Sequence, residues 1–160
     1  MSTVQASDFD RLVEELQRLV IEDARAHYSP QVIEEWYHPQ NVGRMSEADA
    51  SAVVRGWCRK GDAPIRKVND DKIAAATFMT DGCGSSVACG SKLTNMVQGL
   101  PLEKAQEIRS DDLLVALGGL PEESTHCAEL AVNTLGEAIV SYSHGHDEGH
   151  APAREASFVH

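Results

Sequence analysis

The order of patterns along the chain predicts an α+β domain, with strands first and helices after them. Three observations lead there. Residues 52–58, 64–68 and 73–79 read as strands, and Asn69, Asp70 and Asp71 supply turn chemistry between the last two, which suggests an antiparallel meander. After Gly82 the apolar residues recur at helical spacing instead. The chain, 160 residues at 42% hydrophobic and 24% charged, is about one domain long and ordinary in composition for a globular protein. The expected architecture is a three-stranded antiparallel sheet with helices packed on one face, plus an extra N-terminal amphipathic helix.

Each element has a local reason. In the extension formed by residues 1–29, Phe9, Leu12, Val13, Leu16, Leu19 and Val20 recur at helical spacing with Glu14, Glu15, Arg18 and Asp23 between them. Ser7, with Asp10 three residues on, is a start signal. This helix is expected to pack on the domain or on a second subunit. The domain proper is assigned to residues 30–142. Ser29 and Pro30 offer an N-cap and an N1 proline for a short helix through Val32, Ile33 and Trp36, which Pro39, Asn41 and Gly43 break. After the strands, helices are expected over 85–97 (closed by Gly99), 101–108, 111–117 (ended by Gly118 and Gly119) and 125–142. Residues 143–160 lack an apolar period and read as a disordered tail. His144, His146 and His150 within it admit metal binding, although a flexible polar tail needs no such role.

Charge and hydropathy narrow the function classes. A net charge of −11 argues against nucleic acid, because phosphate binding needs clustered Lys and Arg. It suits a partner with a basic surface, or simply a solvated acidic exterior. No apolar run approaches the roughly 20 residues of a membrane span. The N-terminus carries acids early and has no basic stretch before an apolar core, so neither a secretory signal nor a mitochondrial transit peptide is expected. These features place the chain in a prokaryotic cytoplasm, away from membranes. There, four cysteines point to metal binding or thiol chemistry rather than a disulfide framework.

Three of those cysteines sit where an element begins or ends. Cys58 closes the first strand. Cys83 lies in Gly82-Cys83-Gly84-Ser85-Ser86, where the glycines leave room beside the sulfur and Ser85 or Ser86 can cap the next helix. Cys127 falls just inside the last helix, after Ser124 and Thr125 as candidate caps. A helix N-terminus favours thiolate, the form that binds iron or zinc and attacks a persulfide. Spacing alone leaves two readings open, one shared metal site or three independent buried thiols. There is no CxxC pair to suggest a zinc ribbon. Cys89, six residues past Cys83 in an apolar helix, reads as a small core residue.

Several motifs together resemble the IscU/NifU-type iron–sulfur cluster assembly scaffold family, the NifU N-terminal-like domain. Val32-Ile33-Glu34-Glu35-Trp36-Tyr37-His38-Pro39-Gln40-Asn41-Val42-Gly43 resembles its opening helix and Asn-Pro-Arg-Asn-Val-Gly turn. Val68-Asn69-Asp70-Asp71, Phe78 and Gly82-Cys83-Gly84-Ser85 resemble its central strand and Gly-Cys-Gly-Ser loop. Leu120-Pro121, His126-Cys127 and Leu130-Ala131 resemble its last helix start. The resemblance spans residues 31–140. It implies a non-enzymatic α+β scaffold on which sulfur from a cysteine desulfurase, delivered as persulfide, and iron form a [2Fe–2S] cluster for acceptor apoproteins. It also implies that Cys58, Cys83 and Cys127 are the cluster ligands, that Cys127 is the persulfide acceptor, and that His126 stands beside them as a candidate fourth ligand.

Two departures from the family pattern bear on function. The family's Cys-Gly-Asp motif, whose aspartate is a metal ligand, reads Cys58-Arg59-Lys60-Gly61-Asp62 here. A protonated amine at Lys60 cannot donate to iron. His126, Asp62 or an exogenous group is then the candidate for the fourth position; along an extended segment Cys58, Lys60 and Asp62 share a face. Lys60 either offsets the negative charge of a thiolate-bound cluster or is a solvated surface charge. The second departure is Leu120-Pro121-Glu122-Glu123-Ser124, which lacks the Leu-Pro-Pro-Val-Lys of members served by a dedicated Hsp70-type chaperone and argues against such docking. Two alternatives remain beside the scaffold. One is a Zn2+-bound sulfur relay in which three cysteines and His126 close a tetrahedral site. The other is a stable cluster-holding electron-transfer or sensor protein. A homodimer through the extra helix is compatible with each.

Overall fold

The computed structural model describes residues 7–46, 48–55, 60–62, 65–68, 72–145 and 154–157. Ser7 opens α1 (Asp8–His27) through a capping box: its hydroxyl accepts from the Asp10 N–H at 3.2 Å, and the Asp10 carboxylate accepts from the Ser7 N–H at 2.9 Å. The apolar stripe of α1 does not turn into the domain. Phe9 is 72% exposed, Leu12, Leu16, Leu19 and Val20 are also exposed, and Ala24 is the buried residue of the helix. The expected packing of this helix on the domain is corrected accordingly. Its C-terminal end is anchored where Tyr28 meets the Trp36 ring edge-on with centroids 6.1 Å apart.

The next helix, α2 (Pro30–Tyr37), starts as its sequence requires. Ser29 Oγ accepts from the Val32 N–H at 3.1 Å, and it donates to the Leu117 carbonyl far along the chain. The chain then turns at Asn41, whose φ of 58° lies in the left-handed region that asparagine tolerates. Its side-chain amide donates to Thr94 Oγ1 at 3.2 Å and Asn95 Oδ1 at 2.9 Å. The Phe78 N–H donates to the Asn41 carbonyl and the Gly43 N–H to the Phe78 carbonyl, each at 3.0 Å.

Those two bonds explain a correction to the expected sheet. With the backbone of Phe78 engaged by the turn at Asn41, the third strand-like stretch divides into β4 (Lys72–Ala76) and β5 (Met79–Thr80). They follow β1 (Ala52–Arg55), β2 (Lys60–Asp62) and β3 (Ile65–Val68). Instead of one three-stranded antiparallel sheet there is a β3–β4 antiparallel hairpin and a separate sheet ordered β5-β2-β1-β6. In the latter, β1–β2 and β2–β5 are antiparallel, while β6 (Arg154–Ser157) lies parallel to β1.

The helical half follows its local signals closely: α3 (Gly84–Val97), α4 (Leu102–Gln106), α5 (Ser110–Ala116), a short 3-10 turn (Glu122–Ser124) and α6 (His126–Gly145). The segment expected to be a tail differs: α6 runs on to Gly145, and residues 154–157 pair with β1, taking up backbone groups its edge would otherwise expose. The core lies among α2, α3, α5, α6 and β4, where Val32, Cys89, Val97, Leu113, Leu117, Ile139 and Ile73 are buried. Each large aliphatic side chain there contributes roughly 1.5–3 kcal/mol. Ser91, fully buried at the α2–α3 contact, accepts from the Gln40 N–H at 2.8 Å and donates to the Glu35 carboxylate. Among the described residues, no helix is long and apolar enough to cross a membrane.

Candidate functional site

Strand β5 delivers the chain into a tight approach to α3. Cys83 is itself the N-cap of α3, with extended backbone (φ −76°, ψ 178°); its sulfur faces the Ser85 and Ser86 N–H groups but lies outside capping hydrogen-bond geometry. The expectation that Ser85 or Ser86 caps the helix is therefore corrected: both lie in its first turn. That turn is crowded. A Cβ on Gly82 would fall 2.4 Å from Ser86 Oγ, so only glycine lets the strand pass the serine.

From the opposite side α6 starts at His126, which makes Cys127 the second residue of the helix. Just before it, the Thr125 hydroxyl donates back to the Glu122 carbonyl at 2.9 Å, and the Ala128 N–H donates to the Thr125 carbonyl at 3.0 Å. Cys127 is 2% exposed, whereas Cys83 is exposed. Ser86 joins them. Its hydroxyl donates to Cys127 Sγ at 3.4 Å and lies 3.9 Å from Cys83 Sγ. His126 Nε2 is 3.6 Å from Cys127 Sγ. Two sulfurs, one hydroxyl and one imidazole thus share a small space between the starts of α3 and α6.

Electrostatics separate the cysteines. Burial pushes the Cys83 thiol up, but the N–H groups of Ser86 and Ser85, the Ser86 hydroxyl and Cys127 together outweigh it, and the thiol is held below its ordinary value. For Cys89, burial first, then Cys127 and Cys83 as like charges, pushes the thiol far up. Cys89 is fully buried in the core, as its sequence context predicts. It stays a neutral thiol and takes no part in the site.

Beside Cys127 lies a partly open cavity of about 40 Å³, walled by Phe78, Leu93, Leu130 and Leu135, with Ser86 and Cys127 also on its lining. That exceeds the roughly 10–15 Å³ one water-sized sphere needs. Its lining is otherwise nearly apolar. Thr77 Oγ1, on the same wall, is buried with no hydrogen-bond partner, as is Ser85 Oγ in the first turn of α3.

The structure thus brings together Cys83, Cys127 and His126 among the residues singled out in the sequence. Cys58 lies outside the described residues, and so do His146 and His150. Lys60 and Asp62 occupy β2, opposite Arg55 and Val53 of β1. Asp62 also pairs with Met79 of β5, the strand that leads to Cys83. His144 is turned back on its own helix, with Nδ1 2.8 Å from the Val140 carbonyl. No group of three or more His, Cys, Asp or Glu side chains converges among the described residues. Ser86 is the residue that sequence reasoning placed wrongly, as a cap; the doubled serine after Gly84 was its only signal.

Comparison with known proteins adds relatives to this geometry. The family model described as NifU-like N terminal domain matches residues 27–148. The iron-sulfur cluster assembly scaffold protein IscU 1 of Archaeoglobus fulgidus is 37% identical over 116 residues, covering 72% of this chain and 76% of that one. The iron-sulfur cluster assembly scaffold protein IscU of Aquifex aeolicus is 38% identical over 122 residues, covering 72% and 75%. The nitrogen fixation protein NifU of Nostoc is 36% identical over 125 residues, but the match spans only 41% of its length. Among solved structures, a nitrogen-fixing NifU-like protein (N-terminal) from Brucella abortus superposes with a TM-score of 0.57 at 17% identity, over 72% of this chain and 94% of that one. At that identity the likeness speaks for the fold alone.

Proposed function

Because this chain belongs to the NifU-like N-terminal domain family, we propose that it is a scaffold on which an iron–sulfur cluster is assembled and from which the cluster passes to acceptor apoproteins. The observation that supports this best is the shared space of Cys83 and Cys127, two soft sulfur donors linked through Ser86, with the His126 imidazole alongside. Cluster and iron are cargo here, so the chain is a carrier rather than an enzyme. Cys58, Cys83 and Cys127 hold the cargo in this reading, with His126 or Asp62 completing the set and Lys60 supplying charge. The cluster in this reading is [2Fe–2S], one of the forms that three thiolates and a fourth ligand can hold. A cysteine desulfurase is the sulfur donor, Cys127 the sulfur acceptor, and the cytoplasm the compartment in which such thiols stay reduced.

Anaerobic purification followed by visible absorption, metal content and addition of an apo-acceptor tests this. A coloured iron–sulfur species that moves to the acceptor is the expected result. Stoichiometric zinc with no cluster on reconstitution would replace the scaffold with a zinc-bound sulfur relay, which the nearness of His126 Nε2 to Cys127 Sγ favours as second reading. A cluster with reversible redox that never transfers would overturn both.

A further inference from the structure

Helix α1 is 20 residues long, about 30 Å. It meets the domain at α2, close to its own C-terminal end, where Ala24 is buried. Its outer part holds Phe9 at 72% exposure and Leu12, Leu16, Leu19 and Val20 between 49% and 53%. Phe9, Leu12, Leu16 and Leu19 follow the 3-4-3 spacing of a coiled-coil seam. Val13 and Val20 widen that seam along one edge, and Asp8, Glu15 and Glu22 line the other. Nearer the domain the same seam carries Asp23 and then Ala26.

We propose that this stripe is the interface of an antiparallel homodimer, in which α1 of one copy lies along α1 of a second. Neither a cluster nor its cysteines takes part, so the dimer stands or falls independently of the scaffold reading. The seam maps onto itself. With a two-fold axis beside residue 14, Phe9 of each copy faces Leu19 of the other and Leu12 faces Leu16, and all four layers are apolar. Asp23 falls beyond the overlap. Parallel pairing would instead stack Asp23 on Asp23 within the seam and align the two helix dipoles. The anchoring of α1 agrees with the antiparallel choice. Each helix joins its domain near Tyr28, so the two domains attach at opposite ends of the pair, about 40 Å apart.

Area and charge set the strength. At these exposures the five side chains present about 500 Å² per copy and about 1,000 Å² for the pair, the lower limit for a specific interface. A reversible dimer with a dissociation constant in the micromolar range is the expected outcome. On one edge Val13 and Val20 close the seam. On the other, Glu15 meets Glu15 and Asp8 lies near Glu22, which repel. Arg18, 3.5 Å from Glu22 on its own helix, offsets part of that repulsion. Salt screens what remains, so the dimer tightens as salt rises. A basic partner docked on the same acidic edge would loosen instead.

Sedimentation equilibrium of the full chain, from low to high micromolar concentration, tests the pairing. A monomer–dimer equilibrium that tightens several-fold between about 50 and 500 mM salt is expected. Leu16→Glu, at a side chain already half exposed, should raise the dissociation constant by at least roughly tenfold. Glu15→Gln should lower it at low salt, a gain that a damaged fold would not produce. In Glu15→Cys a short bismaleimide should join residue 15 of one copy to residue 15 of the other, a link located by peptide mass spectrometry. A chain that stays monomeric at every concentration and salt overturns the proposal and leaves the stripe to a different protein. A dimer that Leu16→Glu does not weaken, or that loosens as salt rises, overturns it too. A dimer in which the residue 15 link never forms overturns the antiparallel register.

Discussion

The indole of Trp36 occupies the space that a side chain on Gly84 would need: a Cβ at residue 84 would lie 2.3 Å from Cε2 of the ring. Helix α2 therefore sets how closely the first turn of α3 can approach, and with it the position of Cys83 one residue earlier. A conformational role for this glycine is not required, because its backbone is helical. The constraint is one of volume.

Gly84→Ala should accordingly lower stability by about 1–3 kcal/mol, the usual cost of overpacking a well-filled contact. Urea denaturation followed by tryptophan fluorescence reads the loss. An unchanged midpoint would mean that the ring has room to move aside.

At Asn41 two effects can be separated. Asn41→Ala removes the bonds to Thr94 and Asn95 and leaves a β-carbon at a φ of 58°. Asn41→Gly removes the same bonds but relaxes the backbone. The alanine variant should be the less stable of the two by about 1 kcal/mol, and thermal melts of the pair decide it. Equal stabilities would show that the side-chain bonds alone matter.

The buried thiol of Cys89 predicts a loss of stability in alkali. Its folded value is raised above the ordinary 9.0, so the folded chain binds more protons than the unfolded one at higher pH. Stability should therefore be level below pH 9.0 with respect to this group and fall as pH rises beyond it. The slope should approach about 1.4 kcal/mol per pH unit. Cys83 acts with the opposite sign, because its value is lowered: it adds stability as pH rises through the window below the ordinary thiol value. Urea midpoints from pH 7 to pH 11 should show the decline, and Cys89→Ala should flatten it. A decline that persists unchanged in Cys89→Ala assigns it elsewhere.

Lys60→Asp tests the departure at the first cysteine. A carboxylate at residue 60 of β2 adds an oxygen donor where the lysine offers none. Zinc bound by the reduced, cluster-free chain should tighten by at least roughly tenfold, as measured by competition with a chelator. Cluster transfer should slow in parallel. If affinity and transfer rate both stay as they were, the side chain at residue 60 lies away from the site.

Local signals along the chain sufficed to place every helix, though not the cap of α3 or the end of α6. The capping box at Ser7, the Ser29-Pro30 start, and the glycines at 99, 118 and 119 each act within a turn or two. Backbone hydrogen bonding and side-chain caps operate over three or four residues, so sequence spacing records them. The split of the sheet was not readable in this way, since it depends on Phe78 pairing with Asn41 and Gly43. Nothing near Phe78 in sequence announces that partner.

The placement of Cys83 and Cys127 at the starts of helices and the burial of Cys89 were determined by the sequence. That Cys83 and Cys127 meet was decided only by the tertiary structure. Ser86 and Cys127 are separated by 41 positions along the chain, and their contact exists because α3 and α6 pack against each other. The same holds for α1. Spacing made its stripe apolar, but whether that stripe finds a surface depends on where the rest of the chain lies, and within one chain it does not. Periodicity is a property of a segment, whereas burial and access belong to the packed whole. This is why the sequence could name two sulfurs but could not say which faces solvent.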